Sequence, residues 1–137
     1  MTGTIEIIAQ APGARDTARE VCFLIGRGGA ILWADTADDP VALPDTRARW
    51  EAIWQLRDEL EIIAHSHPRG PAEFSPEDES TMTALDGALG RTLRYIVVAP
   101  RATLTRVAPG STEPYPLEPW WTGLLRIASG MPATKED

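Results

Sequence analysis

Two histidines and an acidic residue lie close together near the middle of the chain. His65 and His67 flank Ser66 directly after the apolar run 60–64, and Asp78 follows a turn containing Pro and Gly. The run predicts a buried strand, on which His65 and His67 would share one face, about 7 Å apart along the backbone. Imidazole is the commonest metal ligand in proteins. Two imidazoles and the Asp78 carboxylate would leave a tetrahedral Zn²⁺ with one open position, as catalysis requires.

Each half of this pattern also has a simpler interpretation. An isolated His-x-His is more often structural than metal-binding. The segment 75–78, Ser-Pro-Glu-Asp, has the residues of a helix start: serine as the N-cap, proline at the first helical position and acids in the first turn. These are the only two histidines in 137 residues, and both lie at a strand end beside a sharp turn and an acid. Taken together, the two halves favour a metal site.

The combined string H-S-H-P-x(6)-S-x-x-D resembles the signature of the JAB/MPN (JAMM) zinc metalloprotease family, and the chain resembles a small prokaryotic-type member. That family also has a glutamate on an earlier strand, before a Cys and an aliphatic run ending in Gly. Residues 20–26, EVCFLIG, occupy that place and supply Glu20. They depart from the pattern in Phe23, where the family usually has Gly, and in being about one residue shorter. The resemblance covers about residues 18–108 and implies a cytidine-deaminase-like α/β fold, in which helices sandwich a mixed sheet.

The resemblance also implies roles for two further residues. Glu20 would be the general base, and Ser75 would donate a hydrogen bond to the oxyanion. Each has an alternative, because Glu20 could be an acid that merely precedes a strand and Ser75 could be only the helix cap. Ser66 should lie on the opposite face of its strand as a structural residue, and Glu73 should be a solvated loop acid.

The implied reaction is hydrolysis after the C-terminal glycine of a ubiquitin-like protein or its conjugate, by deconjugation or by precursor maturation. Processing of a sulfur-carrier protein is an alternative, and activating and conjugating enzymes are candidate partners. A non-catalytic MPN scaffold is a rival, although such members usually lose metal ligands. The DNA-repair branch of the superfamily is disfavoured, because a net charge of −7 does not suit nucleic acid.

Length and composition predict one domain of ordinary globular character over residues 1–130, with a frayed tail at 131–137. The chain shows no signal-peptide pattern and no long apolar run, and its single cysteine cannot form an internal disulfide, so we expect a cytoplasmic protein without a membrane partner. Cys22 should be a small buried hydrophobe rather than a nucleophile. Trp120 and Trp121 could bind a partner, but packing of the last helix on the core is favoured.

Apolar periodicity and turn residues predict the remaining elements. The strands are expected at 4–10, 21–25, 30–34, 60–64, 93–99 and 102–107, with loops at 35–44 and 108–119. Segment 14–19 predicts a short helix or turn, Asp45 should cap a helix that ends near Glu59, a second helix should cover 76–89, and a short one should end near Ser129. In the helix capped by Asp45, the apolar stripe should include Trp50, Ile53 and Trp54 and continue to Leu60. On the same helix, Arg47, Arg49 and Arg57 should form a solvated face.

Overall fold

A mixed sheet of six strands lies at the centre of the described part of this computed structural model, which comprises residues 18–37, 46–115 and 117–136. The strands are β1 (Val21–Gly26), β2 (Ile31–Thr36), β3 (Leu60–Ser66), β4 (Arg94–Val98), β5 (Thr103–Ala108) and β6 (Ser111–Pro114). The helices are α1 (Arg47–Leu56), α2 (Pro76–Leu89) and α3 (Trp120–Ala128). The strand predicted at 4–10 and most of segment 14–19 lie outside the described residues.

The histidine strand is central in the sheet. The strand order is β2-β1-β3-β4-β5-β6, so β3 lies between β1 and β4. The pairing of β3 with β4 is parallel and needs the α2 crossover, whereas every other pair is antiparallel. In the β1–β3 ladder Cys22 is opposite His65. Two residues before Cys22, Glu20 therefore reaches the same end of the sheet as the histidines.

Helices cover both faces of the sheet, as the predicted fold class requires. On one face α1 and α2 pack against apolar residues of the sheet, including Leu24 and Ile63. On the other face α3 packs against a second cluster through Trp121 and Leu125. Trp121 is buried, which confirms the packing interpretation for this residue, but Trp120 is 64% exposed and the same prediction is wrong for it.

Helix α1 differs from its prediction at both ends and on one face. Its N-cap is Thr46, whose hydroxyl accepts a hydrogen bond from the Arg49 amide, and the predicted cap, Asp45, lies outside the described residues. The helix ends at Leu56 and continues as a turn rather than as helix to residue 59. Trp54 is 56% exposed because it lies one residue, or about 100°, around the helix from the buried Ile53.

The predicted loop at 108–119 contains strand β6, which pairs with β5. All four β6 residues are exposed, so the strand has none of the apolar alternation from which a strand is predicted. After α3, the Met131 side chain is buried, and its amide donates to the Arg126 carbonyl at 2.8 Å. Across the described ranges, no helix combines the length and apolar character needed to cross a bilayer.

Candidate metal centre and active site

Glu20 and His65 come together because β1 and β3 are neighbours. Strand alternation places Glu20, Cys22 and His65 on the same face of the sheet, the face that packs on α1 and α2. The Glu20 Oε1 atom lies 3.9 Å from the His65 Nδ1 atom. Glu20 is only 7% exposed, so its carboxylate is largely withdrawn from solvent. His65 lies in the central strand β3, and Glu20 directly precedes its neighbour β1.

His67 is positioned by the turn that follows β3. Its amide donates to the Val98 carbonyl at 2.8 Å, and its own carbonyl accepts from the Gly70 amide at 2.8 Å. The His67 Nδ1 atom lies 3.0 Å from the Pro71 carbonyl oxygen. A neutral imidazole that donates from Nδ1 to this carbonyl keeps its Nε2 lone pair for a metal, which is the usual arrangement around metal-binding histidines. The rings of His65 and His67 have centroids 4.8 Å apart.

Asp78 and Ser75 lie at the N-terminus of α2, beside His65. They form a capping box, in which the Ser75 amide donates to Asp78 Oδ2 at 2.8 Å and the Asp78 amide donates to Ser75 Oγ at 3.0 Å. Asp78 Oδ2 also lies 3.9 Å from His65 Nε2. The capping interpretation is therefore correct for both residues, but the cap does not use all of their ligand and hydrogen-bonding atoms. Asp78 has a second carboxylate oxygen, and Ser75 accepts through a lone pair and retains its hydroxyl proton as a donor.

The ligand atoms of Glu20, His65 and His67 all lie within 4.8 Å of one another. Ligands at about 2.0–2.2 Å from a tetrahedral zinc are about 3.3–3.6 Å apart, so small side-chain movements would close this cluster around an ion. Nitrogen and carboxylate oxygen donors suit zinc. The three residues that cluster most closely thus include Glu20, whereas the sequence predicted Asp78 as the third ligand. The roles of these two carboxylates stay predictions.

The cluster lines a cleft of about 480 Å³, which is also lined by residues of the sheet, α1 and α2. Cys22 lines the cleft, but burial raises the pKa of its thiol to about 12, which opposes a nucleophilic role. Glu73 also lines the cleft and is exposed, as expected of a solvated loop acid.

The sequence interpretation missed Arg49 as a residue of the cleft. Arg49 was expected on a solvated face but is 7% exposed, and its Nη2 lies 3.0 Å from Asp35 Oδ2. Burial of a guanidinium requires such a partner. The available signal was spacing, since Arg49 and Ile53 are four residues apart on the buried side of α1. The prediction placed Arg49 on a solvated face because of its charge and did not use this spacing.

Comparison with known proteins identifies the family. The model of a family described as prokaryotic homologs of the JAB domain matches residues 6–121, which is most of the chain. Comparison with curated proteins finds no match. The observed architecture, a mixed six-stranded sheet with three helices, fits a JAB domain. The chain therefore belongs to the JAB-domain family, among its prokaryotic homologs.

Proposed function

We propose that the protein is a zinc-dependent metallopeptidase or isopeptidase that hydrolyses the bond after the C-terminal glycine of a ubiquitin-like protein. The observation that carries this proposal is the cluster of Glu20, His65 and His67, whose ligand atoms lie within 4.8 Å of one another, with Asp78 beside His65. Membership of a family that includes metalloproteases supports it. A non-catalytic scaffold would have no need for a glutamate, two histidines and an aspartate converging in one cleft.

A zinc ion bound at this cluster would supply a Lewis acid that polarises the scissile carbonyl and lowers the pKa of the attacking water. Glu20 would accept a proton from that water and pass it to the leaving amine, since its carboxylate lies within the cluster and is shielded from solvent. The Ser75 hydroxyl would donate to the oxygen that becomes negatively charged as the carbonyl is attacked. His65, His67 and Asp78 would hold the ion.

The substrate proposal rests on the family resemblance, and the burial of Glu20 is compatible with it. An ion or hydrogen-bond donor stabilises a developing charge most strongly where water is excluded. The substrate segment around the scissile bond must therefore fit closely in the cleft. Residues just before the bond should then be small, which favours a tail ending in Gly-Gly. We place the reaction in the cytoplasm, because the single Cys22 is a free buried thiol and suits a reducing compartment. Activating and conjugating enzymes are proposed partners on the family resemblance alone.

A tail-substitution experiment tests this function. Fusions of a ubiquitin-like protein to a short leaving segment would be compared with the last glycine intact and replaced by leucine. We expect the leucine tail to lower kcat/KM by several tens-fold or more. Equal cleavage of both tails, or efficient cleavage of unrelated unstructured peptides, would indicate a general peptidase. Zinc-loaded protein that cleaves none of them would indicate the scaffold.

Variants at three glutamates test the mechanism in the same assay. Glu20→Gln should reduce turnover by about 10²–10⁴-fold while zinc content is kept, because the lost step is proton transfer. Glu61→Gln is the matched control, since Glu61 is an exposed acid on β3 outside the cleft. Near-normal activity of Glu20→Gln combined with inactive Glu73→Gln would move the general base to Glu73.

A further inference from the structure

The position of the Glu20 carboxylate depends on its backbone. Among the described residues, none donates a hydrogen bond to this carboxylate, and its contact with His65 Nδ1, at 3.9 Å, is longer than a hydrogen bond. The backbone of residues 19–21 must therefore keep the carboxylate beside the histidines. The Ala37 amide donates to the Glu20 carbonyl at 2.9 Å and fixes this backbone from the β2 side.

Both residues that flank Glu20 are connected to Ser129, which is the C-cap of α3. The Arg19 amide donates directly to the Ser129 carbonyl at 3.1 Å. The Val21 amide donates to Ser66 Oγ at 2.9 Å, and the Ser129 hydroxyl donates to the same oxygen. One residue of α3 thus supports the Glu20 backbone on both sides, through its carbonyl and, by way of Ser66, through its hydroxyl.

Ser129 is itself held firmly. It is fully buried, and its amide donates to the Leu125 carbonyl at 3.0 Å and to the Arg126 carbonyl at 3.1 Å. Leu125 is fully buried where α3 packs on the sheet, so Ser129 keeps the position that this packing gives to the helix. Helix α3 covers the face of the sheet opposite to the metal cluster, and the support therefore reaches Glu20 through the sheet.

We propose that Ser129 is a positioning residue for Glu20, acting through the Ser66 hydroxyl and the Val21 amide. The inference rests on the proposed function, in which Glu20 transfers protons, and adds a control of that site from α3. Without the Ser129 hydroxyl, Ser66 Oγ loses a donor that orients it toward the Val21 amide. The Glu20 backbone is then less constrained. A misplacement of about 1 Å in a reacting group can cost ~10²-fold in rate.

Two variants of α3 test the role of this hydroxyl. Ser129→Ala should lower kcat by about tenfold at unchanged KM and zinc content, because it affects the placement of Glu20 and not substrate binding. Thr122→Val is the matched control, since Thr122 is also buried on α3 but its hydroxyl donates to the Pro119 carbonyl at 2.7 Å, at the other end of the helix. It should keep the wild-type kcat well below its unfolding temperature. Equal loss of kcat in both variants would overturn the proposal.

Combined variants test whether Ser129 acts through Glu20 and Ser66. Ser129→Ala should leave the residual rate of Glu20→Gln unchanged, because the group that it positions is already inactive. Added to Ser66→Ala, it should cause no further loss of kcat, since the two hydroxyls form one connection. A further tenfold loss in either background would assign Ser129 a general structural role and overturn the proposal.

An NMR measurement separates this inference from the proposed function. The backbone amide signal of Val21 and the carboxyl carbon signal of Glu20 would be compared in the protein as purified. Both should shift in Ser129→Ala and stay in place in Thr122→Val. If they do so but no fusion is cleaved, the connection stands and the proposed hydrolysis fails. If the fusions are cleaved and Ser129→Ala matches Thr122→Val in both signals and in kcat, the hydrolysis stands and the positioning role fails.

Discussion

The Ser66 hydroxyl accepts a hydrogen bond from the Val21 backbone amide, with 2.9 Å between Oγ and N. Ser66 lies between the two histidines but on the opposite face of β3, where it is fully buried and also hydrogen-bonds the Ser129 hydroxyl. Val21 directly follows Glu20. A single buried hydroxyl therefore connects the backbone that carries the histidines to the backbone that carries the glutamate, which confirms the structural role predicted for Ser66.

Ser66→Ala should lower the free energy of unfolding by about 1–3 kcal/mol, because the buried Val21 amide loses its partner. Turnover should also fall at unchanged zinc content, since Glu20 is less well positioned. Urea denaturation followed by circular dichroism measures the first effect. Ser111→Ala on the exposed strand β6 is the control and should change stability by less than about 0.5 kcal/mol. Equal unfolding curves for wild type and Ser66→Ala would contradict this account.

Cys22 should resist alkylation in the folded protein. Burial raises the pKa of its thiol to about 12, although the nearby Arg49 charge partly opposes the shift. At pH 8 the folded thiol is protonated and inaccessible, so iodoacetamide should label it only after denaturation in guanidinium chloride. Mass spectrometry of labelled protein with and without denaturant measures this. Rapid labelling of the native protein would show that Cys22 is reachable from the cleft.

The same pKa shift has a consequence for stability at high pH. The thiol pKa is about 9 when unperturbed and about 12 in the fold, so above pH 9 the unfolded chain releases a proton that the folded chain keeps. The contribution of the buried thiol to the free energy of unfolding is therefore fully present below pH 9 and is lost as the pH rises toward 12. Between pH 8 and pH 10.5 the wild type should therefore lose stability relative to Cys22→Ala, measured by denaturant unfolding. A constant difference would contradict the burial of the thiol.

Glu118 should make stability depend on pH in the acid range. Hydrogen bonds from the Arg126 guanidinium lower the pKa of this carboxyl from 4.5, burial partly opposes the shift, and the Thr103 hydroxyl adds a further hydrogen bond. Because the folded pKa is depressed, its contribution is present above about pH 4.5 and is lost as the pH falls through the folded value. The difference in unfolding free energy between wild type and Glu118→Gln should be constant from pH 5.5 to 7 and shrink below about pH 4.5. A difference that does not change with pH would contradict the Glu118–Arg126 contact.

Local patterns predicted the parts of this fold that depend on local physics. The apolar run before His65 predicted a strand, which is central in the sheet, and Ser75 marked the start of α2. Strand β6 was missed because its residues are all polar and exposed, and the pairing that forms it comes from β5. The exposure of Trp54 depends on how α1 is rotated against the sheet, which its hydrophobicity does not reveal.

The residues of the candidate site also divide into those with a local sequence signal and those brought together only by the fold. His65, His67, Ser75 and Asp78 belong to one short stretch whose spacing suggests chemistry. Glu20 was proposed only through the family resemblance, because its approach to His65 depends on β1–β3 pairing between distant parts of the chain. The cleft around the site could not be predicted at all, since it exists only where α1 and α2 meet the sheet.

Zinc content tests the central claim most directly. Wild-type protein purified without chelators should contain about one Zn²⁺ per chain by elemental analysis. His67→Ala and Asp78→Asn should lose most of it, whereas Glu20→Gln should keep it as a general-base variant. Loss of zinc in Glu20→Gln with retention in Asp78→Asn would instead make Glu20 the third ligand, in line with the closest cluster. Substoichiometric metal in the wild type, unchanged by His67→Ala, would contradict the existence of a metal centre here.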